Sequence, residues 1–123
     1  MKLRHIELHT TKLEEAAHFY RHLGFEEILD ERPHHVLLAA GGDDSGTLSL
    51  IRFEVAPALT GGPLIYFECE NVDEVYQRAS EVGLKIAFEP TSKPSGRREA
   101  GFFDPDGQLI CIYHKDRKAD RAL

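Results

Sequence analysis

The chain repeats itself. Displaced by 59 positions, residues 5–25 fall on residues 64–84 without a gap. Each copy opens with a short alternating strand, HIELH in the first and LIYFEC in the second. Each then enters a segment whose apolar residues recur at helical spacing. These are Leu13, Ala16, Ala17 and Tyr20 in one copy, and Val72, Val75, Tyr76 and Ala79 in the other. Thr11 with Glu14, and Asn71 with Glu74, have the spacing of a capping box, which satisfies the orphan N–H groups of a first turn. Gly24 and Gly83 stand where these helices must stop, because glycine alone takes the left-handed terminal conformation cheaply. Strand, cap, apolar stripe and terminal glycine at one constant offset confine the chain to folds built from two copies of one module.

Three further strand-like segments follow each helix, near residues 26–30, 35–40 and 47–53 in the first copy and 85–88, 99–104 and 108–113 in the second. Gly41-Gly42-Asp43-Asp44 reads as a turn. Asp104-Pro105-Asp106-Gly107 is a stronger hairpin signal, since Pro pre-sets φ and Asp-Gly supplies the positive φ. The expectation is an α+β chain of two tandem βαβββ modules. Module 1 spans about residues 1–55 and module 2 about residues 64–114, with a polar tail over 115–123. Residues 56–63, with Pro57, Gly61, Gly62 and Pro63, read as a linker inside one domain, because a single copy could hardly bury a sufficient core alone.

Composition narrows the partners. A net charge of −6 argues against a nucleic-acid backbone, which calls for a clustered basic excess. The basic clusters are Arg97-Arg98 and the tail, and the tail also carries Asp116 and Asp120. No apolar run approaches the roughly 20 residues of a membrane helix, and the start MKLRHIELHT alternates like a strand rather than like a signal peptide. Cys69 and Cys111 are expected to be free thiols in a reducing cytoplasm. Cys69 falls with Ile65 and Phe67 on the face opposite Cys111, which argues against a disulfide between them.

His5, Leu13, Phe19-Tyr20 and Leu23-Gly24-Phe25, together with Phe103-Asp104-Pro105-Asp106-Gly107 and Leu109-Ile110-Cys111-Ile112, resemble the opening and the ending of the vicinal oxygen chelate superfamily. That superfamily includes glyoxalase I, extradiol dioxygenases, and bleomycin- and fosfomycin-resistance proteins. The resemblance spans nearly the whole chain. It implies curled mixed sheets around a shared cavity with the helices outside, and a homodimer in which cavities are completed across subunits.

The resemblance also implies four metal-ligand positions, one on the first and one on the last strand of each module, usually His or Glu. Here they fall on His5, Ser49, Leu64 and Cys111. Only His5 matches in type; Leu64 has no donor, Ser49 is a poor one, and Cys111 would bind only as thiolate. A catalytic metal needs about three protein donors, so no metal and no cofactor is expected at the usual position. A rearranged set of His5, Glu68 and Cys111 is the alternative. His34-His35 point to opposite faces of a strand and do not read as a ligand pair. His18 and His22 share one helix face, expected to be the solvated one.

By strand alternation the cavity face would carry His5, Glu7, His9, Ser49, Ile51, Phe53, Leu64, Tyr66, Glu68, Leu109, Cys111 and Tyr113. Aromatic and aliphatic walls with a few polar groups suit a small-molecule ligand. Glu7 and Glu68 would attract an amine, and Arg98, in the loop before the penultimate strand, would pair with a carboxylate or phosphate at the mouth. The leading expectation is a cytoplasmic, homodimeric small-molecule-binding protein of the glyoxalase/bleomycin-resistance type that sequesters an antibiotic or metabolite. Its rivals are a metal-dependent lyase, isomerase or dioxygenase with an altered ligand set, a cofactor-free enzyme using Glu68 or His5 as base, and a scaffolding dimer with a filled cavity. Cys111 activated by His5 is a further nucleophile candidate, with no third orienting group in view.

Overall fold

The computed structural model describes residues 4–41, 46–54 and 64–116, which fall into two compact units divided between Leu59 and Thr60. The first holds β1 (His5–Thr10), α1 (Leu13–His22), β2 (Glu26–Glu31), β3 (His35–Ala39) and β4 (Thr47–Arg52). The second holds β5 (Ile65–Glu68), α2 (Val72–Glu81), β6 (Lys85–Ser92), β7 (Arg97–Phe103) and β8 (Leu109–Lys115). Each unit is one βαβββ module, as the repeat predicts. The sheet orders are β1-β4-β3-β2 and β5-β8-β7-β6, with the first strand parallel to the last and the remaining pairs antiparallel. The linker 56–63, Gly42-Asp43-Asp44 of the expected turn and the tail beyond Asp116 lie outside the described residues. Among those described, no helix is long and apolar enough to cross a membrane.

Each sheet buries the face that its helix covers. In the first unit Leu13, Ala16, Ala17 and Tyr20 of α1 form one core with Val36, Leu38, Leu48 and Leu50, and the helix packs on β3 and β4. In the second, Val72, Val75 and Ala79 meet Ala100, Phe102, Ile110 and Ile112, and the Tyr76 ring lies 6.2 Å from that of Phe102. Burying one such aliphatic or aromatic side chain contributes roughly 1.5–3 kcal/mol, so these stripes fix which sheet face is internal. The residues between them point the other way.

The two helix starts differ. Asn71 caps α2 by accepting the N–H of Glu74 at 3.2 Å, and the Nδ1 of His114 on β8 accepts the N–H of Val72 at 2.8 Å. At α1 the N-cap is Lys12, whose side chain makes no cap hydrogen bond, one residue past the Thr11 expected there. The Glu14 carboxylate is drawn to the guanidinium of Arg32. Both helices end as expected, on Gly24 and Gly83 with φ of +113° and +79°.

Several boundaries move. β6 continues through Pro90, past the expected end at Phe88, because it is an edge strand whose ladder breaks between Phe88 and Thr91. A proline that donates no hydrogen bond is tolerated at such a break. β7 begins at Arg97, so Arg97-Arg98 belong to a strand and not to a loop. β8 reaches Lys115, where the tail was expected to start, and β4 stops one residue short of Phe53. The Asp104–Gly107 hairpin forms as read. The Asp104 carboxylate accepts the N–H groups of Asp106 and Gln108 at 3.0 and 2.8 Å, and Gly107 has φ of +86°.

Arg32 ties the first module together beyond its apolar core. Its guanidinium reaches Glu27 at 2.7 Å, Asp30 at 2.9 Å and, on α1, Glu14. The bonds from Arg32 hold the Glu27 carboxyl below its usual range, and the Arg32 backbone N–H and side chain do the same for Asp30. A carboxylate with a depressed folded-state pKa contributes stability that is present near neutrality and lost as the pH falls through that lowered value. Arg32→Met is therefore expected to lower the thermal midpoint at pH 7, and its deficit against the parent protein is expected to shrink below about pH 4, where carboxylates protonate in the unfolded chain as well. Thermal unfolding followed by circular dichroism from pH 2 to 8 checks this; a deficit independent of pH would contradict it.

Candidate functional site

On the first sheet, alternation puts His5, Glu7 and His9 of β1 beside Thr47, Ser49 and Ile51 of β4, in direct register. This is the face away from α1. The β3–β4 register adds His35 opposite Ile51 and Leu37 opposite Ser49, and Glu31 of β2 lies opposite His35. Four hydrogen bonds and one ring contact organise the surface. His5 Nδ1 lies 2.7 Å from Thr47 Oγ1, and His9 Nε2 lies 3.2 Å from Glu7 Oε2. The His9 ring stacks on Phe53 at 3.9 Å between centroids. His35 bridges Glu31 and Ser49, with Nδ1 2.9 Å from Glu31 Oε1 and Nε2 3.0 Å from Ser49 Oγ. Ser49 is only 5% exposed, whereas His5, Glu7 and His9 are open to solvent.

On the second sheet the face away from α2 carries Tyr66 and Glu68 of β5 beside Cys111 and Tyr113 of β8. β7 adds Glu99 opposite Tyr113 and Gly101 opposite Cys111. Gly101 has no room for a side chain: a Cβ there would meet the Phe88 ring at 2.3 Å. The guanidinium of Arg97 lies over the Tyr113 ring at 4.2 Å, and the Tyr66 and Tyr113 rings meet edge to face. Burial pushes the Cys111 thiol up, a hydrogen bond from Tyr66 partly offsets this, and the Glu99 carboxylate adds to the rise. Tyr66 is raised in turn, first by the charge Cys111 would carry and then by burial.

The candidates named from sequence thus separate into two sets. His5, Glu7, His9, Ser49 and Ile51 share one face, with Phe53 just beyond its edge; Tyr66, Glu68, Cys111 and Tyr113 share the other. Leu64 precedes β5 and is 60% exposed. Arg98 joins neither set. Strand β7 begins early enough for parity to turn Arg98 toward α2, where Asp73 takes its guanidinium in two bonds of 2.8 Å. The expected loop placement is therefore corrected: Arg98 sits on β7 and ties strand to helix, and Arg97 takes the open face instead. His35, Glu31 and Glu99 were absent from the expected lining. Applying to β3 and β7 the alternation already applied to the first and last strands would have found His35 and Glu99.

His18 is exposed on α1 with its ring 4.2 Å from that of His22, on the solvated side as expected. Cys69 and Cys111 are unlinked. Among the described residues no three His, Cys, Asp or Glu side chains stand close enough together to hold a metal ion.

Comparison with known proteins follows the fold closely. The family model of the Glyoxalase/Bleomycin resistance protein/Dioxygenase superfamily matches residues 2–112. Among solved structures, TioX from Micromonospora sp. ML1 is similar with a TM-score of 0.74 at 22% identity, covering 94% of this chain and 99% of that one. A bleomycin-binding protein complexed with bleomycin gives 0.71 at 20% identity, over 94% and 98% of the two chains. A lactoylglutathione lyase from Agrobacterium tumefaciens gives 0.69 at 20%, over 91% and 92%. At such identities the likeness is one of fold, and sites are grafted onto folds. No curated protein matches the chain.

A buried thiol with a raised pKa is a poor nucleophile, because only the thiolate attacks. Cys69 is raised as well, chiefly by burial. Both cysteines are expected to react with iodoacetamide at pH 7.5 at least tenfold more slowly than glutathione does, with the rate still climbing at pH 9.5. Fast labelling of Cys111 at neutral pH would restore it as a catalytic candidate.

Proposed function

The chain belongs to the glyoxalase/bleomycin resistance protein/dioxygenase superfamily, and we propose that within it this protein binds a small molecule without using a metal at the superfamily's usual position. The observation that carries the reading is the donor set. Of the four positions that resemblance gives to metal ligands, Leu64 offers no donor at all. The Ser49 hydroxyl is engaged by His35 at 3.0 Å, and burial pushes the Cys111 thiol up, which disfavours the thiolate a metal would need. His5 alone has the usual donor type, and one of its nitrogens bonds Thr47. One imidazole falls well short of the roughly three protein donors a catalytic metal needs, so no step is derived through a metal.

What replaces the metal chemistry is recognition. The two open sheet faces combine aromatic rings, aliphatic side chains and a few polar groups, the mixture that small-molecule sites use. His9 with Phe53 and Arg97 with Tyr113 offer flat surfaces for a ring system. The solved complex of a bleomycin-binding protein on the same fold supports an antibiotic or metabolite as the ligand, held rather than converted. In this reading the protein is one domain, a homodimer and cytoplasmic. Its net charge of −6 disfavours nucleic acid as partner.

The test begins with metal analysis of protein purified without an affinity tag, then thermal shift with Ni, Zn, Mn and Fe(II), then calorimetric titration with metal-free bleomycin. Expected are far less than one metal per chain and no ion-dependent stabilisation through His5. A bound ligand should raise the thermal midpoint. At one hundred times its Kd it stabilises by about 2.7 kcal/mol, on the order of ten degrees for a domain of this size. One metal per chain, lost in His5→Ala, would overturn the proposal in favour of a metal-dependent enzyme with an altered ligand set.

A further inference from the structure

The hydrogen-bond chain on the open face of the first sheet has a direction. It starts at Glu31, whose carboxylate accepts and cannot donate, so the Nδ1 of His35, 2.9 Å away, carries the hydrogen. With the imidazole neutral, Nε2 then bears a bare lone pair, and the Ser49 hydroxyl at 3.0 Å is the donor to it. Once its only hydrogen is committed to His35, the Ser49 oxygen has nothing but lone pairs left to offer. Its register neighbour on β1 is Glu7, whose carboxylate is more than half exposed, and Glu31 stands on the same face.

We propose that this face receives a protonated amine, with Ser49 Oγ and the Glu7 carboxylate as its acceptors and Glu31–His35 as the pair that turns Ser49 into an obligate acceptor. The inference rests on the small-molecule reading above and names the chemical class of the ligand. A carboxylate or phosphate at the same place would find no donor on Ser49 and two like charges nearby. A protonated amine finds acceptors and opposite charge, and a hydrogen bond involving a charged group is worth about 1.5–3 kcal/mol, roughly ten- to a hundredfold in affinity. His35 is thus a positioning residue, and Ser49 with Glu7 would touch the ligand.

Acid, imidazole and hydroxyl in this order also make up the relay of serine hydrolases. The backbone decides against that use. Ser49 lies mid-strand on β4, paired with β1 on one side and β3 on the other. The N–H groups around it are therefore drawn into the ladders, away from the place where an oxyanion beside Oγ would need donors. The relay orients a binding group rather than arming a nucleophile.

Two measurements on the full chain at pH 8 test the proposal. The first is the tautomer of His35, read from long-range ¹H–¹⁵N correlations and assigned through His35→Gln. The Nδ1–H form is expected, and an Nε2–H form donating to Ser49 would overturn the proposal. The second is the affinity for tyramine and 4-hydroxyphenylacetate, matched probes ending in an amine and a carboxylate. Tyramine is expected to bind at least about tenfold more tightly, with Ser49→Ala reducing its affinity by about tenfold or more. His35→Ala should erode the discrimination between the probes while leaving the circular dichroism spectrum unchanged. A preference for the carboxylate, or no response to Ser49→Ala, would overturn it. If neither probe binds but metal-free bleomycin, itself amine-bearing, does so and Ser49→Ala leaves that binding unchanged, the amine assignment fails and the small-molecule reading stands; if nothing binds, both fail.

Discussion

The structure depends on one kind of strand pairing, the parallel ladder that joins the first strand of each module to its last. β1 runs beside β4 and β5 beside β8. Parallel neighbours cannot be joined by a tight turn, so the chain must cross over. In both modules the helix begins that crossover and two antiparallel strands complete it. The crossover leaves the helix on one face of the sheet and obliges that face to be apolar. Strand parity displaces the two candidate sets, His5–Glu7–His9–Ser49 and Tyr66–Glu68–Cys111–Tyr113, to the other face. The pairing also places residues far apart in the chain in direct register, Glu7 with Ser49 and Tyr66 with Cys111.

The two modules share this plan but differ in how charge completes it. In the first, Arg32 gathers acids from β2 and α1. In the second, Arg98 of β7 clasps Asp73 at the start of α2, lowering that carboxyl, while His114 receives a first-turn N–H. Helix-to-sheet attachment is therefore reinforced by a guanidinium in each copy, at different places. Such pairs are partly exposed and individually modest in energy. Their effect is to hold register and helix position on a core that small and medium side chains already define.

On the proposed reading, the open faces carry hydrogen-bonding groups at Ser49 and Cys111, where the family resemblance places metal ligands. The serine at one of these positions is recruited by a histidine and a glutamate from neighbouring strands. Cys111 is buried beside Tyr66 and Glu99, and that burial pushes its thiol up. Both faces carry hydrogen bonds and ring contacts.

The sequence by itself determined the repeat, the two helices with their glycine stops, the hairpin at Asp104–Gly107 and the parity of each strand. These are set by neighbours within a few residues: a periodicity, a φ that only glycine adopts, a turn that proline and aspartate pre-form. It also determined that the Leu64 side chain has no donor atom to offer, because a hydrocarbon carries none. What only the tertiary structure decided is partnership. Arg98 read as a loop residue at the cavity mouth, and it became a tie to Asp73 once β7 began at Arg97 and parity turned it toward the helix. His35 read only as pointing to the face opposite His34, and the β3–β4 register brought its Nε2 to Ser49 fourteen residues further along. Glu14 read as half of a capping box, and Arg32, eighteen residues away, took its carboxylate. The reason is common to all three: a long polar side chain has several partners within reach of its local sequence, and which one it takes depends on strand register and on the extent of an element, both of which are settled by packing.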